Sequence, residues 1–371
     1  MAKILYGVAG EGFGHSSRSE LLGRRLIEAG HELMFAASRK SLRYLRQGFP
    51  GQVYEIYGLS FVYRRGKVHD GYTAWQNLSG YRRGFAVNRR FFKQKVHEFK
   101  PDLVISDFEP FSSWWAFRNR IPCISIDHEH MLTLCKLDTI ENHRKDRILA
   151  KLVTRGYHAW VDAYIILNFF KTPVKGKSVV LTPPVIRNFV QQVSPWSGDH
   201  IISYSTDSGP AMRKQFIDVL SRFPDQRFFV YGFDQDLEQR NILFKKTSTE
   251  NFVHDLAGAR GVVATAGFSL ISECLHFRKK MLLNPLAGQY EQIVNTHYLQ
   301  KAGLGIGTRK LTVENMKQFL ELVEKPFEPD DSIMLPDNER YFEMVEETFN
   351  KVGLDVSLKR YDPPRVNERA S

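Results

Sequence analysis

One stretch, Val263 to Gly305, places small, polar and acidic side chains at spacings that suit a phosphorylated ligand. The apolar run Gly261 to Thr265 predicts a strand, and it leads through Gly267, Phe268 and Ser269 into a helical pattern. Glycine permits close approach of the backbone, serine is a favourable N-cap, and the unpaired N–H groups of a first helical turn attract anions. We therefore predict that this turn binds a diphosphate.

Three further polar side chains follow the turn. Glu273 lies one helical turn further on, where a carboxylate can accept both hydroxyl groups of a ribose. Glu291 and Gln292 begin a second helical pattern, after the strand-forming run Lys280 to Pro285. Open α/β sheets bind ligands at the carboxyl ends of their strands, so we expect these residues to face that ligand. The alternative is an ordinary unit of strand and helix whose Glu and Gln side chains are simply hydrated.

This pattern resembles that of the sugar-nucleotide glycosyltransferases of the GT-B fold, such as the peptidoglycan N-acetylglucosaminyltransferase and the UDP-glycosyltransferases. The matching residues are Gly267, Ser272, Glu273, Asn284, Pro285, Glu291, Gln292, Asn295 and Gly303. The resemblance implies that Gly267, with Phe268 and Ser269, holds the donor diphosphate and that Glu273 binds the ribose. It further implies that Glu291 and Gln292 bind the hydroxyl groups of the donor sugar.

A second glycine-rich loop follows the first predicted strand, Lys3 to Val8. Its glycines are spaced GxGxG, whereas a dinucleotide fingerprint needs GxGxxG and an acidic residue after the next strand, which argues against nicotinamide chemistry. We expect a helix to begin near Ser19. The resemblance implies that Gly12 and Gly14 belong to a loop facing the acceptor, and that His15 is the base that takes the proton of an acceptor hydroxyl. The alternative is a histidine that caps the helix or lies in the core.

Two more groups of polar residues follow predicted strands. Asp107 and Glu109 come after one strand and could act as the base or orient His15. Asp127 and His128 come after the next and belong to the run DHEH, whose side chains can all ligate metals. No further ligands follow at the spacing of a metal motif, and the resemblance implies a metal-independent enzyme, so we predict no metal site. Asp127 and His128 are assigned to a cleft wall that faces the acceptor.

The predicted strand Ile201 to Ser205 ends in a loop rich in hydroxyl groups. Ser205 and Thr206 could there supply a second phosphate contact at a helix start. A plain capped turn explains the same residues equally well. No cofactor is expected other than the nucleotide-diphosphate sugar as co-substrate.

Strand and helix patterns alternate through both halves of the chain, which predicts the α/β class with two doubly wound parallel sheets. We expect these two Rossmann-like domains to face a cleft. Residues 1–185 form the acceptor domain, the proline-rich segment 186–199 is a linker, and 200–335 form the donor domain. An amphipathic helix with Tyr341, Met344, Val345 and Phe349 on one stripe lies in 336–358, and the resemblance implies that it crosses back to the first domain. The polar tail 359–371 is expected to be disordered.

Composition indicates the cellular compartment and the charge of the partner that we expect for this protein. The chain has 371 residues, 43% of them hydrophobic, and three cysteines without metal-like spacing, which fits a reducing compartment. The amino terminus lacks the pattern of a signal peptide, and no apolar run is long enough to span a bilayer. We therefore expect a cytoplasmic protein. Its net charge of +11 favours an anionic partner.

Basic and aromatic residues alternate from Phe61 to Lys100. This composition suits peripheral attachment to an anionic membrane, and the peptidoglycan enzyme that the chain resembles acts on a lipid-linked acceptor. A solvated basic face, or a groove for a phosphorylated or acidic acceptor, explains the same composition. Nucleic acid is not an expected partner, because no nucleic-acid-binding motif is present.

Together these features predict an inverting, metal-independent glycosyltransferase. It would move a hexosyl or N-acetylhexosaminyl group from a nucleotide-diphosphate sugar, with UDP as the expected nucleotide, to an acceptor hydroxyl. Two alternatives remain at this point: a non-hydrolysing epimerase of UDP-amino sugars, which shares the fold, and a regulator that binds a nucleotide sugar without turnover.

Overall fold

The computed structural model describes residues 1–10, 12–58, 84–157, 160–206, 209–354 and 356–358, together with the backbone of 63–64 and 67–68. Residues 61–83 of the basic aromatic segment, apart from the backbone of 63–64 and 67–68, and the tail 359–371 therefore lie outside the described residues. The described chain forms two seven-stranded sheets, each flanked by helices.

The first sheet is entirely parallel, with strand order β3-β2-β1-β6-β7-β8-β9. Its strands are β1 Lys3–Val8, β2 Glu32–Ala37, β3 Val53–Glu55, β6 Leu103–Asp107, β7 Cys123–Asp127, β8 Ala163–Leu167 and β9 Val179–Thr182. A separate antiparallel hairpin consists of β4 Tyr63–Arg64 and β5 Lys67–Val68. The accompanying helices are α1 Gly12–Glu28, α2 Arg39–Gly48, α3 84–99 with a π-helical turn at Phe92–Val96, α4 Pro110–Asn119, α5 Met131–Leu134, α6 Arg144–Tyr157 and α7 Asn188–Gln192.

The second sheet has the order β12-β13-β11-β10-β14-β15-β16, and only the edge strand β12 runs antiparallel. Its strands are β10 His200–Tyr204, β11 Arg227–Tyr231, β12 Leu237–Gln239, β13 Ile242–Phe244, β14 Gly261–Ala264, β15 Lys280–Leu283 and β16 Gly305–Gly307. Its helices are α8 Pro210–Leu220, α9 Thr249–Gly258, α10 Phe268–His276, α11 Tyr290–Lys301 and α12 Val313–Val323. Two sheets of this kind confirm the predicted pair of Rossmann-like domains.

Parallel strand register aligns the loops that carry polar residues. Val8 at the end of β1 pairs with Asp107 at the end of β6, so the glycine loop and Asp107 emerge side by side. In the second sheet Ala264 of β14 pairs with Leu283 of β15, which aligns the loops that lead into α10 and α11. Both sheets therefore present their functional loops at the carboxyl edge, as their parallel topology requires.

The last helix, α13 Asn338–Lys351, packs against β8 and β9 of the first sheet. The apolar stripe differs from the predicted one by a single residue, because Phe342 is buried whereas Met344 is only partly buried. The guanidinium of Arg25 on α1 lies 4.9 Å from the centre of the Phe342 ring. The helix α13 thus packs on the first domain, and the bounds 336–358 of the segment stay a prediction.

In the described part of the basic aromatic segment, aromatic and basic residues differ in their burial. On α3 the rings of Phe91 and Phe92 are buried in the core, whereas Arg89 and Arg90 are exposed. Phe91 and Phe92 therefore serve packing and the charges form a solvated face, although Phe85 at the start of this helix is 36% exposed.

Candidate active site

The helix α1 begins at Gly12, seven residues before the predicted start at Ser19. Gly12 has a φ of +75°, a left-handed conformation that favours glycine, and it allows the chain to turn directly from the loop into the helix. The earlier start places His15, Arg18 and Ser19 at positions i, i+3 and i+4 of one helix face. All three side chains therefore point the same way, toward the end of β6.

Asp107, which is fully buried, is the common partner of these three residues. Arg18 donates from Nε to Oδ2 at 2.6 Å and from Nη2 to Oδ1 at 2.5 Å, and Ser19 Oγ donates to Oδ2 at 3.1 Å. His15 Nδ1 lies 2.7 Å from Oδ1. A carboxylate can only accept, so Nδ1 carries the proton and Nε2 of His15 is left for chemistry. Arg18 Nη2 also lies 2.7 Å from His15 Nδ1. With the proton on Nδ1, both nitrogens are donors, and they lie close together because each donates to Asp107 Oδ1.

Glu129 lies on the other side of His15. Its Oε1 is 3.4 Å from His15 Nε2, and its Oε2 is 3.5 Å from Arg18 Nη2. Burial lowers the pKa of His15, but the charges of Glu129 and Asp107 outweigh burial, so the pKa is raised above its ordinary value of 6.5. A hydroxyl group entering between Nε2 and Glu129 would meet two acceptors. This position suits the removal of a proton from an alcohol.

The second domain contributes a carboxylate to the same cluster. Glu291, at the start of α11, accepts from Asn295 Nδ2 at 3.2 Å, and its Oε1 lies 3.6 Å from His128 Nε2. Burial, together with the negative charge of Glu129, raises the pKa of Glu291 to about 8. A carboxyl group with such a pKa remains largely protonated at neutral pH and can donate a hydrogen bond to a ligand.

His128 connects the two domains directly. Its Nδ1 lies 2.7 Å from the carbonyl oxygen of Leu167, and its Nε2 lies 3.1 Å from Asn295 Oδ1. The imidazole also stacks on Phe268, with ring centres 3.9 Å apart. His128 therefore faces the donor domain, whereas the sequence suggested a wall for the acceptor.

The predicted diphosphate turn lies at the start of α10, but its N-cap is Gly267 and not Ser269. Glycine has no side chain with which to cap the helix, so the first N–H groups remain available to a ligand. A Cβ built on Gly267 would meet no heavy atom within 4 Å, which shows open space beside the turn. Across the cleft, a Cβ on Gly14 would lie 2.5 Å from Ser269 Oγ, so a larger residue at that position would require the Ser269 side chain to shift.

Glu273 lies one turn into α10, as predicted, and pairs with Arg187 of the linker segment. Both Nε and Nη2 of Arg187 donate to the same oxygen, Oε1, at 3.0 and 2.7 Å. Burial raises the pKa of Glu273, and the Arg187 guanidinium opposes that shift. Among the described residues we find no hydrogen bond to Oε2, which leaves this oxygen for a ribose hydroxyl.

Gln292 organises the loop before its own helix. Its Oε1 accepts from Leu286 N at 3.0 Å, and its Nε2 donates to Gln289 Oε1. Gln292 is 7% exposed. One donor and one acceptor position of its amide are thus used within the loop, and the predicted contact with the donor sugar would use the remaining ones.

Two of the predicted carboxylates make local hydrogen bonds. Glu109 is the N-cap of α4, and its two oxygens accept from Phe111 N and Ser112 N at 3.0 and 2.7 Å. Asp127 accepts from Ser125 Oγ and from His130, and it is buried. Both carboxylates therefore stabilise local turns, and the assignment of Glu109 to catalysis and of Asp127 to an acceptor-facing wall stays a prediction.

Ser205 and Thr206 lie just beyond β10, at the carboxyl edge of the second sheet, and Ser205 N donates to Tyr231 O at 3.3 Å. The helix α8 begins with Gly209 as N-cap and Pro210 in its first turn. Because residues 207 and 208 are not described, the proposed phosphate contact of this loop stays a prediction.

Four residues of the site were missed by sequence reasoning: Arg18, Glu129, Asn295 and Arg187. Arg18 had a detectable signal, since a helix beginning at Gly12 puts it on the face of His15. Glu129 belongs to the run DHEH and Asn295 to the pattern shared with the glycosyltransferases, but neither had a predicted function. Nothing in the sequence places Arg187 beside Glu273. Within the described ranges, no three His, Cys, Asp or Glu side chains are arranged to hold a metal ion. Metal independence itself is not tested by that observation.

Two Rossmann-like domains that meet across this polar cleft define the GT-B class of glycosyltransferases, as the comparison with solved structures confirms. The glycosyltransferase of kitacinnamycin superposes with a TM-score of 0.64 at 14% identity, covering 96% of both chains. LpCGTa in complex with UDP gives a TM-score of 0.61 at 15% identity, covering 88% of this chain and 91% of that one. At such identities the likeness shows the fold alone.

The chain belongs to glycosyl transferase family 1, whose family model matches residues 2–324. A relative from Methanosarcina acetivorans, described as an uncharacterized glycosyltransferase, is 25% identical in an alignment 334 residues long, and the match covers 82% of this chain and 84% of the relative. The protein is therefore a glycosyltransferase, and the predicted resemblance is confirmed.

Proposed function

We propose that this glycosyltransferase transfers a sugar from a nucleotide-diphosphate donor to an acceptor hydroxyl by a single inverting displacement. One contact supports this most: Gly14, next to the base His15, meets Ser269 of the donor turn. The group that would take the proton and the turn that would receive the leaving diphosphate therefore lie on opposite sides of one narrow cleft.

On the donor side, the N–H groups at the start of α10 would bind the diphosphate near Gly267, and Glu273 Oε2 would accept from the ribose. Glu291, protonated at neutral pH, would donate to a hydroxyl group of the sugar. We propose UDP as the nucleotide, since a structurally similar enzyme holds UDP. The positive end of the helix would stabilise the charge that develops on the leaving diphosphate without a metal ion.

On the acceptor side, the hydroxyl group would lie between His15 Nε2 and Glu129. As its oxygen forms a bond with the anomeric carbon, the bond from that carbon to the diphosphate oxygen breaks. The hydroxyl proton passes to His15 Nε2, and Asp107 stabilises the imidazolium through Nδ1. One displacement from the face opposite the leaving group inverts the anomeric configuration.

A panel of nucleotides tests the donor assignment by thermal shift. A ligand at one hundred times its dissociation constant stabilises the folded protein by about 2.7 kcal/mol, so the correct nucleotide stands out from the others. We expect UDP and UDP-sugars to raise the melting temperature more than dTDP or GDP. A larger shift with dTDP would assign a different nucleotide to the same site.

Turnover experiments then separate the competing functions. We expect release of the nucleotide diphosphate to depend on an acceptor, to persist in EDTA, and to give a product of inverted anomeric configuration by NMR. Conversion of the sugar without an acceptor would identify an epimerase. Binding without any turnover over a broad acceptor panel would favour a regulator.

The proposed acceptor is a lipid-linked or acidic molecule. A lipid-linked or acidic acceptor fits the basic character of the first domain, and peripheral attachment to a membrane inside the cell would bring a lipid-linked one within reach. No helix among the described residues has both the length and the apolar character needed to cross a bilayer. Attachment through Phe61 to Lys100 remains a prediction, because the side chains of residues 61–83 lie outside the described part of the chain.

A further inference from the structure

The helix α6 exposes three large aliphatic side chains on its outer face. Ile148, Leu149 and Leu152 are 49%, 41% and 59% exposed, and their spacing of i, i+1 and i+4 places them on one stripe. The opposite face carries Thr154, which is 3% exposed, and the partly buried Ala150. An amphipathic helix normally turns its apolar stripe toward the core, so the outward direction of this stripe calls for a partner.

Positive charge surrounds the stripe. The helix carries five basic residues: Arg144, Lys145, Arg147, Lys151 and Arg155. Its one acidic residue, Asp146, pairs with His143. Burial, together with the like charges of Lys175, Arg147 and Arg155, lowers the pKa of Lys151. These cations are crowded against one another, and an anionic surface would relieve their repulsion.

Two further aromatic residues of the first domain are exposed, and one of them follows the end of α6 by three positions in the sequence. Trp160 is 48% exposed and stacks on Phe117, itself 55% exposed, with ring centres 5.3 Å apart. Tryptophan is enriched where proteins meet the headgroup region of a bilayer, because its ring is apolar and its N–H needs a polar partner.

We propose that α6 docks on the anionic surface of a lipid bilayer, lying in the plane of the interface with Ile148, Leu149 and Leu152 inserted below the headgroups. A second copy of the chain is a poorer partner, because a symmetric contact would bring the two basic helices together. Nucleic acid would match the charges but not the aliphatic stripe. Within residues 141–157 the acidic residues are Asp146 and the exposed Glu141, against the five basic residues of α6.

Docking through α6 would also orient the cleft. The helix packs beside α11, which carries Glu291, so the opening between the domains would come close to the lipid. This surface is distinct from Phe61 to Lys100 and requires none of the transfer chemistry proposed above.

Co-sedimentation with vesicles tests the proposal without any substrate. We expect the full-length protein to bind vesicles containing one quarter phosphatidylglycerol and not pure phosphatidylcholine, with binding weakened by salt. Changing Ile148, Leu149 and Leu152 to Ser should weaken binding about a hundredfold. Changing Lys145 and Arg155 to Gln should weaken it about fivefold for each charge removed.

Matched controls separate this helix from general surface effects. Lys214→Gln with Lys317→Gln removes two exposed charges from the second domain, and Leu237→Ser removes an exposed leucine there; both should bind as the wild type does. Circular dichroism should show all variants folded. Equal binding by the wild type and the triple serine variant, equal binding to both vesicle types, or no binding would overturn the proposal. So would loss of binding only on changing Arg89 and Arg90, or a dimer in solution that the triple serine variant abolishes.

Discussion

Arg18 and Asp107 form a two-point ion pair beneath His15, with Nε and Nη2 of the arginine each donating to a separate carboxylate oxygen, at 2.6 and 2.5 Å. The pair fixes the carboxylate that orients the imidazole, and Arg18 is itself 7% exposed. His15 therefore acts within a group of charges and not as an isolated pair with Asp107, and this arrangement determines how its protonation should respond to mutation.

Replacing Arg18 should alter both stability and the titration of His15. Arg18→Met leaves Asp107 buried without its partner, which should cost about 3 to 5 kcal/mol in the free energy of unfolding. Since the positive charge of Arg18 lowers the pKa of His15, its removal should raise that pKa further. Urea unfolding and NMR titration measure the two effects, with His15→Gln to assign the signal. Arg18→Lys, which keeps the charge, should shift the pKa less; equal pKa values in wild type and Arg18→Met would contradict this electrostatic account.

Replacing His15 should separate binding from chemistry. His15→Gln should lower turnover by about 10²- to 10⁴-fold, the usual contribution of a positioned base, while nucleotide affinity stays within about twofold. In the wild type the neutral imidazole is the active form and its pKa is raised, so turnover should increase with pH through a value above 6.5. Steady-state kinetics over pH 5 to 9 and calorimetric binding check both points. Near-normal turnover in His15→Gln would shift the role of base to Glu129.

Glu273→Gln should weaken binding of the donor nucleotide by about 1.5 to 3 kcal/mol, because a hydrogen bond from ribose to a charged oxygen is lost. The substitution keeps the shape of the side chain, so the ligand-free protein should remain folded with Arg187 as neighbour. Calorimetry with UDP provides the measurement, and Glu250→Gln on the exposed start of α9 is the matched control. Unchanged affinity for every nucleotide in the panel would remove Glu273 from the donor site.

Glu291 should make stability depend on pH. Its carboxyl group titrates near 4.5 when unfolded, but its folded pKa is raised to about 8, mainly by burial. A raised pKa contributes stability that is complete below the unfolded value and is lost as pH rises toward the folded value. Glu291→Gln mimics the protonated form, so its melting temperature should exceed that of the wild type by a margin that grows from pH 5 to 8 and then levels off. A margin that does not change with pH would show that Glu291 is ionised in the folded protein as it is in the unfolded one.

The local sequence pattern was sufficient to predict the strands and helices that carry the site. The alternation of apolar strands with amphipathic helices predicted both parallel sheets, and the strand β1 has the predicted bounds. The short edge strands β12 and β16 were missed, because three residues carry too little periodicity. The starts of helices were predicted less well than the strands. Ser269 was expected to cap α10, but the N-cap is Gly267.

The sequence by itself determined which residue types lie at the ends of which strands, since strand and turn patterns extend over only a few residues. The tertiary structure decided which of them meet. His15 and Asp107 are separated by 92 positions, and His128 and Asn295 by 167, and their contacts depend on strand order and on the closure of two domains. No local spacing encodes such distances. The same limit applies to α6, whose amphipathic pattern is visible in the sequence, although only the packed fold shows that its aliphatic stripe faces outward.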